Sequence, residues 1–141
     1  MIPRSLEALI PETLFVYGTL RLEYTNEAAQ RIRAECVYIG QGLIHGKLLD
    51  LGNYPGAIFS NEKASWIYGQ CFRLPPSSGP LLQFLDDYEG DEYRREVYEV
   101  SCWHGRILVM SYHLKKLRDA PVIQHGDWYT YQTRRDSKKL S

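Results

Sequence analysis

Short runs of alternating apolar and polar residues fill most of this chain, and glycine, proline and asparagine separate them. An alternation with a period of two is typical of strands that bury one face. We predict strands at residues 36–51, 57–59, 66–74, 93–103 and 106–114, and a buried strand at residues 14–17, where a short run is continuously apolar. Glycines interrupt the run at residues 36–51, so it is either one long bent strand or two shorter ones. A tight turn at His104 and Gly105 would join the last two strands into a hairpin.

Two stretches follow the helical period instead. Leu81, Leu85 and Tyr88 recur at helical spacing, and Gly90 is suited to end that helix. Asn26 is placed to cap a second helix at residues 27–34. The outer segments show no strong pattern. We therefore interpret residues 1–13 as an extension, 14–131 as one domain, and 132–141 as a polar, basic and frayed tail.

The composition excludes several classes of protein. Hydrophobic residues make up 44% of the 141 positions and charged residues 24%, as in ordinary globular domains. Seventeen basic and seventeen acidic residues give zero formal net charge, which argues against nucleic-acid binding because that needs a basic surface. No apolar stretch is long enough to span a membrane. The three cysteines have no metal-ligand spacing and no secretory signal is visible, so we expect a cytoplasmic protein.

The first strand ends abruptly at Gly18, with Thr19 next. Glycine at the end of a strand lets a ligand approach the main chain closely. The N–H groups that follow are no longer committed to the sheet, and they can point together at a carboxylate or an oxyanion. On these residues alone, an ordinary turn after a core strand is the favoured interpretation.

Four motifs occur in an order that is known from one protein family. They are Tyr17-Gly18-Thr19-Leu20, then Tyr54-Pro55 before small and apolar residues, then Leu85-Asp86-Asp87-Tyr88-Glu89-Gly90 with Tyr93 and Arg95 after it, and finally Gly126-Asp127-Trp128. In these motifs the chain resembles the γ-glutamylcyclotransferase-like family, which includes the γ-glutamylamine cyclotransferases. Leu22 departs from the pattern, because family members usually have glycine there. The resemblance implies an α+β fold, a small mixed β-barrel with peripheral helices.

The resemblance also implies an activity, the conversion of a γ-glutamyl amine or γ-glutamyl amino acid to 5-oxoproline and the free amine. The catalytic acid/base of the family transfers to Glu89, at a helix end where the helix dipole disfavours a carboxylate. The implied substrate-binding residues are the turn formed by Tyr17, Gly18, Thr19 and Leu20, together with Tyr54 and Tyr93. No cofactor and no metal are implied. The expected partner is a small-molecule γ-glutamyl substrate, with no nucleic acid and no membrane.

Several candidate residues also have an ordinary interpretation. Glu89 could be an exposed acid at a helix end, which is the commonest situation of a glutamate. Asp86 and Asp87 would be solvated, capping or paired with arginines. Arg21 and Arg95 either bind a carboxylate or form surface ion pairs. Tyr93 is either a pocket hydroxyl or a plain strand residue, and Trp128 is expected in the core.

Two rival functions stay open at this stage. The same fold could bind a small acidic metabolite without converting it, although a carboxylate facing such a ligand argues against this. Alternatively, Cys71 or Cys102 could be the nucleophile of a cysteine-dependent enzyme, which would need an exposed, electropositive setting. The sequence determines neither the leaving group of the substrate nor the oligomeric state, because loops bind the leaving group and loops vary most.

Overall fold

The computed structural model describes residues 12–60, 65–102 and 105–140. Most of the predicted extension, and His104 of the predicted hairpin turn, therefore lie outside the described residues. The elements are β1 Thr13–Val16, α1 Glu27–Glu35, β2 Val37–Asp50, β3 Pro55–Phe59, β4 Trp66–Arg73, α2 Gly79–Glu89, β5 Tyr93–Cys102, β6 Gly105–Leu114 and α3 Trp128–Leu140. Each predicted strand and both predicted helices are present, with bounds that differ by a few residues.

Five of the six strands close into a mixed β-barrel. The order β2-β4-β1-β6-β5 is completed by a second pairing of β2 with β5, at Gly42 with Cys102 and Leu43 with Ser101. The pair β1–β6 is parallel, whereas the other pairs are antiparallel. Strand β3 pairs only with β2 and lies outside the closed ring. The predicted α+β class with a small mixed barrel is confirmed.

Strand β2 resolves the choice that the sequence left open, because it is one continuous strand of 14 residues. Its register against β4 shifts between Tyr38 and Gly40, where a bulge lets the strand bend. A long, bent strand can pair with three neighbours in turn. In this way β2 contacts β4, β3 and β5 and closes the barrel.

Strand β1 is buried on both faces, which explains why its sequence is continuously apolar. Leu14 and Val16 pack with apolar residues of α1 and α2, including Ile32 and Leu85. Phe15, which points to the opposite face, packs in the cluster that contains Trp128 of α3. The end of β1 is therefore fixed from both sides, and the turn that follows it begins from a rigid base.

The predicted helix caps are present. The Asn26 side chain accepts a hydrogen bond from the Ala29 N–H, at 2.8 Å, and begins α1. Gly90 has a φ of 77° and ends α2 immediately after Glu89.

The expectation of a frayed tail is wrong. Residues 128–140 form α3, which runs through most of the segment that we interpreted as a tail. The helix is held by Trp128, which is fully buried, and by Asp50 of β2. The Asp50 carboxylate accepts a hydrogen bond from the Tyr131 hydroxyl, at 2.7 Å, and pairs with Arg135, at 3.1 Å. These contacts involve residues about 80 positions apart, which a local pattern cannot show.

Candidate active site

One cavity of about 290 Å³ lies beside the end of β1. Pockets for small ligands begin at about this size, so it suits a small metabolite. Its lining consists of Phe15, Val16, Tyr17, Gly18, Thr19, Leu20, Tyr54, Pro55, Tyr88, Glu89, Glu92, Tyr93 and Tyr112. All seven residues that the sequence analysis named as catalytic or substrate-binding belong to this lining. The structure thus brings them together around one space, while their individual roles stay predictions.

The turn at residues 17–20 forms one wall of the cavity. The Arg21 N–H donates to the Gly18 carbonyl, at 3.2 Å, and closes the turn. The Asn26 side chain donates to the Thr19 carbonyl, at 2.6 Å, and ties the turn to the start of α1. Within the described chain, no hydrogen bond uses the main-chain N–H groups of Thr19 or Leu20. These two groups are therefore free to bind a ligand.

Position 18 requires glycine because its main chain lies very close to the side chain of Pro55. A Cβ atom there would lie 2.8 Å from Cγ of Pro55, which is shorter than a van der Waals contact. Unlike Gly90, Gly18 does not adopt a positive φ. The turn and the start of β3 can lie side by side only because Gly18 has no side chain.

Glu89, the last residue of α2, lines the same cavity. Its carboxyl makes no hydrogen bond or ion pair with any residue that the structure describes. Burial raises its pKa to about 7, because removal from water disfavours the charged form. Burial also raises the pKa of Tyr17 and Tyr93, and the nearby Glu89 carboxylate adds to both shifts. Glu89 therefore faces the cavity and is not an exposed helix-end acid.

Tyr54 and Tyr93 line the cavity, but their hydroxyls donate elsewhere. The Tyr93 hydroxyl donates to the Pro55 carbonyl, at 2.7 Å, and the Tyr54 hydroxyl donates to the Glu92 carboxylate, at 2.8 Å. Glu92 also pairs with Arg118, at 2.6 Å. The two tyrosine rings are thus walls of the cavity, while their hydroxyls stabilise the surrounding loops.

Sequence reasoning missed three polar residues of the lining, Tyr88, Glu92 and Tyr112. Tyr88 and Glu92 lie beside Glu89 in the sequence, and this proximity could have indicated them. Tyr112 lies on β6, and its neighbour in the cavity, Tyr17, is 95 positions away. Only the closure of the barrel brings these two tyrosines together.

Of the arginines and acids that we considered, Arg21, Arg95 and Asp86 form ion pairs, whereas Asp87 is exposed and accepts a hydrogen bond from the Gln83 side chain, at 3.1 Å. Arg95 pairs with Asp86, at 2.9 Å. Arg21 pairs with Glu23, at 2.9 Å, and with Asp127, at 2.8 Å. Arg21 is nevertheless only 2% exposed, so the expectation of a surface pair is wrong for this residue. Neither arginine lines the cavity.

The cysteines do not form part of this cavity. Cys71 is 1% exposed, and burial raises the pKa of its thiol to about 12. A thiol in that state is not ionised at neutral pH and is a poor nucleophile. Cys102 is also absent from the lining. The geometry therefore gives no support to a cysteine-dependent mechanism.

The fold and the cavity define a class of protein, a small barrel whose pocket is lined by the carboxyl of Glu89 and by a main-chain turn. The model of one family, described as gamma-glutamyl cyclotransferase, AIG2-like, matches residues 14–130. The chain belongs to this family. A search of curated proteins found no match.

Solved structures share the fold. YkqA from Bacillus subtilis has a TM-score of 0.72 at 26% identity, over 91% of this chain and 43% of that one. An AIG2-like protein from Mus musculus has a TM-score of 0.68 at 20% identity, over 83% and 87% of the two chains. A structure named gamma-glutamyl cyclotransferase has a TM-score of 0.55 at 15% identity, over 78% and 70%.

This chain spans less than half the length of YkqA. In the part of the chain that the structure describes, no helix is long and apolar enough to cross a membrane.

Proposed function

We propose that this protein is a cyclotransferase that converts a γ-glutamyl amine or γ-glutamyl amino acid to 5-oxoproline and the free amine or amino acid. The observation that carries the proposal is the buried carboxyl of Glu89, which shares one small cavity with the turn at residues 17–20. The family to which the chain belongs supports the same class of reaction.

The reaction is a transfer within one molecule. The α-amino nitrogen of the γ-glutamyl group attacks the γ-carbonyl carbon, and a carbon–nitrogen bond forms. The bond to the leaving nitrogen then breaks. In all, the attacking nitrogen loses two protons between its ammonium form and the lactam N–H, and the leaving nitrogen gains two and departs as an ammonium. No water is consumed. Because both reacting groups belong to one substrate, a cavity that holds the folded conformer supplies much of the rate.

Glu89 has the pKa that this proton transfer needs. A free α-amino group has a pKa of about 8 and an ordinary glutamate about 4.3, so direct transfer would be unfavourable by roughly 5 kcal/mol. With the Glu89 pKa at about 7, the difference narrows to about one unit, or roughly 1.4 kcal/mol. Glu89 would thus accept protons from the attacking nitrogen and deliver them to the leaving nitrogen, one at a time.

The turn at residues 17–20 would stabilise the negative charge. Among the described residues, no lysine, arginine or histidine lines the cavity. The hydroxyls of Tyr17, Tyr54, Tyr93 and Tyr112 all donate to protein acceptors. The hydroxyls of Thr19 and Tyr88 also line the cavity. We assign the substrate carboxylate or the oxyanion to the N–H groups of Thr19 and Leu20, because main-chain groups are preorganised for this role.

A panel of γ-glutamyl amines and γ-glutamyl amino acids tests the proposal, with 5-oxoproline as the measured product. We expect turnover by the parent protein, and a loss of at least about 100-fold in kcat for Glu89→Gln, the scale of general acid–base catalysis. Glu35→Gln is the matched control, because Glu35 is an exposed glutamate that ends α1 outside the cavity. Glu35→Gln should keep full activity.

Two outcomes would contradict the proposal. A fully active Glu89→Gln variant would remove the acid/base assignment. Tight calorimetric binding of 5-oxoproline, without turnover of any γ-glutamyl compound, would instead favour a non-catalytic binding protein. Retention of activity after thiol alkylation would separately exclude the cysteine-dependent alternative.

A further inference from the structure

The position of Glu89 is determined by its helix, because its carboxyl makes no hydrogen bond or ion pair within the described residues. The buried apolar anchors of α2 are Leu81 and Leu85, and Leu85 lies four residues before Glu89. The N–H of Gly90 donates only within the helix end, to the Asp86 carbonyl. Because no buried apolar side chain lies within the last turn, residues 86–89, a polar contact there determines how that turn lies on the barrel.

Asp86 supplies that contact. Its Oδ1 and Oδ2 accept hydrogen bonds from Nε and Nη2 of Arg95, at 2.9 and 3.2 Å, and Oδ1 also accepts one from the Tyr112 hydroxyl, at 2.6 Å. Burial alone would raise the pKa of Asp86, but these bonds lower it below its ordinary value, so the carboxylate stays charged. Arg95 and Tyr112 are directly paired on β5 and β6.

Asp86 precedes Glu89 by three residues, and residues at this spacing lie on one side of a helix. The bonds to Arg95 and Tyr112 therefore hold the side of α2 that carries Glu89. A bidentate pair between arginine and a carboxylate also fixes orientation as well as distance.

Tyr112 also forms a hydrogen bond with the turn at residues 17–20. Its main-chain carbonyl accepts a hydrogen bond from the Tyr17 hydroxyl, at 2.7 Å. The Tyr17 hydroxyl in turn accepts one from the Ala57 N–H, at 3.2 Å. Tyr17 is the first residue of the turn at residues 17–20. One strand residue is thus connected through its side chain to the helix of Glu89 and through its main chain to the turn.

We propose that Asp86, Arg95 and Tyr112 form a clamp that sets the position of Glu89 relative to the turn at residues 17–20, with Tyr112 as the central positioning residue. This inference rests on the proposed function for its effect on catalysis. Loosening the clamp has two consequences. Glu89 moves away from the reacting atoms, where an error of about 1 Å can cost about 100-fold in rate. Water also reaches the carboxyl, so its pKa falls.

Other titratable groups also lie around Glu89 in the cavity. Four further tyrosines share the cavity, and so does Glu92, whose charge is paired with Arg118. They are Tyr17, Tyr54, Tyr88 and Tyr93. The substitution Tyr112→Phe removes one hydroxyl, keeps the ring and leaves every formal charge unchanged, so a shift in the Glu89 pKa would report its position and hydration.

The test measures Glu89 directly as well as through activity. Carboxyl-labelled glutamate is followed by NMR through a pH titration, and Glu89 is assigned by its absence from Glu89→Gln. In Tyr112→Phe we expect the Glu89 pKa to fall from about 7 towards the ordinary value of about 4.3. In a plot of kcat against pH, the low-pH limb should move to lower pH in the same way. The maximal kcat should fall about 10- to 100-fold.

Tyr98→Phe is the matched control. The Tyr98 hydroxyl also donates to a carboxylate, that of Glu96 on the same strand, at 2.6 Å, but Tyr98 does not line this cavity. The Tyr98→Phe variant should keep the parent Glu89 titration and the parent kcat.

Asp86→Ala separates the clamp from a direct contact between Tyr112 and the substrate. Asp86 does not line the cavity. A loss of activity in this variant would therefore come from displacement of Glu89 and not from a lost contact with the substrate. If the clamp is one unit, Tyr112→Phe has little further effect in an Asp86→Ala background, because coupled residues are not additive. Additive losses in kcat, or an unchanged Glu89 pKa in Tyr112→Phe, would overturn the clamp.

The outcomes also separate this inference from the proposed function. If the Glu89 pKa shifts as expected but no γ-glutamyl compound is converted, the clamp stands and the proposed function fails. If Glu89→Gln abolishes turnover while Tyr112→Phe changes neither the pKa nor kcat, the proposed function stands and the clamp fails.

Discussion

Gly18 shows at the scale of one residue how tightly the cavity is built. It lies so close to Pro55 that there is no room for a methyl group. Pro55 is itself held in place, because its carbonyl accepts the Tyr93 hydroxyl bond. A side chain at position 18 must therefore displace either the turn or the start of β3, and both form walls of the cavity.

We expect Gly18→Ala to lower the free energy of unfolding by about 1–3 kcal/mol, the usual cost of overpacking, and to reduce kcat/KM because the turn moves. Urea unfolding and the 5-oxoproline assay measure the two effects. Gly79→Ala is the matched control, since a Cβ there meets nothing within 4 Å. Parent-like stability and activity of Gly18→Ala would contradict the close approach.

The motifs predicted most of the cavity residues, because they are contiguous in the sequence. Glu89 and the turn at residues 17–20 were both found in this way. The sequence could not predict the clamp, although Asp86 and Arg95 are part of the motifs. Their partner Tyr112 lies on a strand that contains no motif. In addition, Asp86 is followed by a second aspartate, which suggests a solvated position, and only the fold brings β6 into contact with it.

Helix α1 connects local capping to the cavity. Asn26 uses both ends of its amide: the oxygen accepts from the Ala29 N–H, and the nitrogen donates to the Thr19 carbonyl. The first bond begins the helix, and the second holds the turn at residues 17–20. One side chain thus supports a helix and a wall of the cavity, by different atoms.

Two substitutions separate these roles. In Asn26→Asp the cap is kept, because Asp and Asn are similar caps, but the bond to Thr19 is lost. We expect the free energy of unfolding to fall by about 1 kcal/mol, the usual value of one hydrogen bond, with lower kcat/KM. Asn26→Ala should lose both bonds and about 2 kcal/mol of stability, because the cap adds about 1 kcal/mol.

Ser78→Ala is the control for the cap, because Ser78 precedes α2 without a side-chain capping bond. Its stability should match that of the parent. Thermal unfolding measures the stability of the three variants, and initial rates measure their activity. An Asn26→Asp variant with full activity would show that the bond to Thr19 has no role in the site.

The elements differ in how well their own sequences predict them. Helices α1 and α2 were predicted because apolar spacing and caps are local signals. Helix α3 was missed because its sequence is strongly polar after Trp128. It is stabilised by contacts from Arg135 and Tyr131 to Asp50, a residue of a distant strand.

At the scale of the whole molecule, the alternation predicted the strands but not their arrangement. Closure depends on the pairing of β2 with β5 and on the parallel contact between β1 and β6. These pairings join segments that are far apart in the sequence, and no local pattern specifies them. The resemblance to a family supplied the barrel, and the long bulged β2 shows how this chain achieves it.

Burial of the Glu89 carboxyl also lowers the free energy of unfolding of the whole protein. The pKa of this carboxyl is about 4.3 in an unfolded chain and about 7 in the fold. Between these pH values the unfolded chain releases a proton that the folded protein keeps. Glu89 therefore leaves the free energy of unfolding unchanged below about pH 4.3. Between about pH 4.3 and 7 it lowers the free energy of unfolding progressively, and above pH 7 the full reduction remains.

Glu89→Gln should remove this penalty. Because Glu89 is partly accessible from the cavity, we expect a gain of about 1–3 kcal/mol at pH 8, below the full value that the shift implies. At pH 3 the parent carboxyl is neutral in both states, because this pH lies more than one unit below the unfolded pKa of about 4.3, and the gain should vanish. Urea unfolding of both proteins at the two pH values measures it, with Glu35→Gln as the exposed control. An equal difference at both pH values would show that Glu89 is not buried as a charge, and it would remove the basis for its role as the acid/base, because the same burial provides both effects.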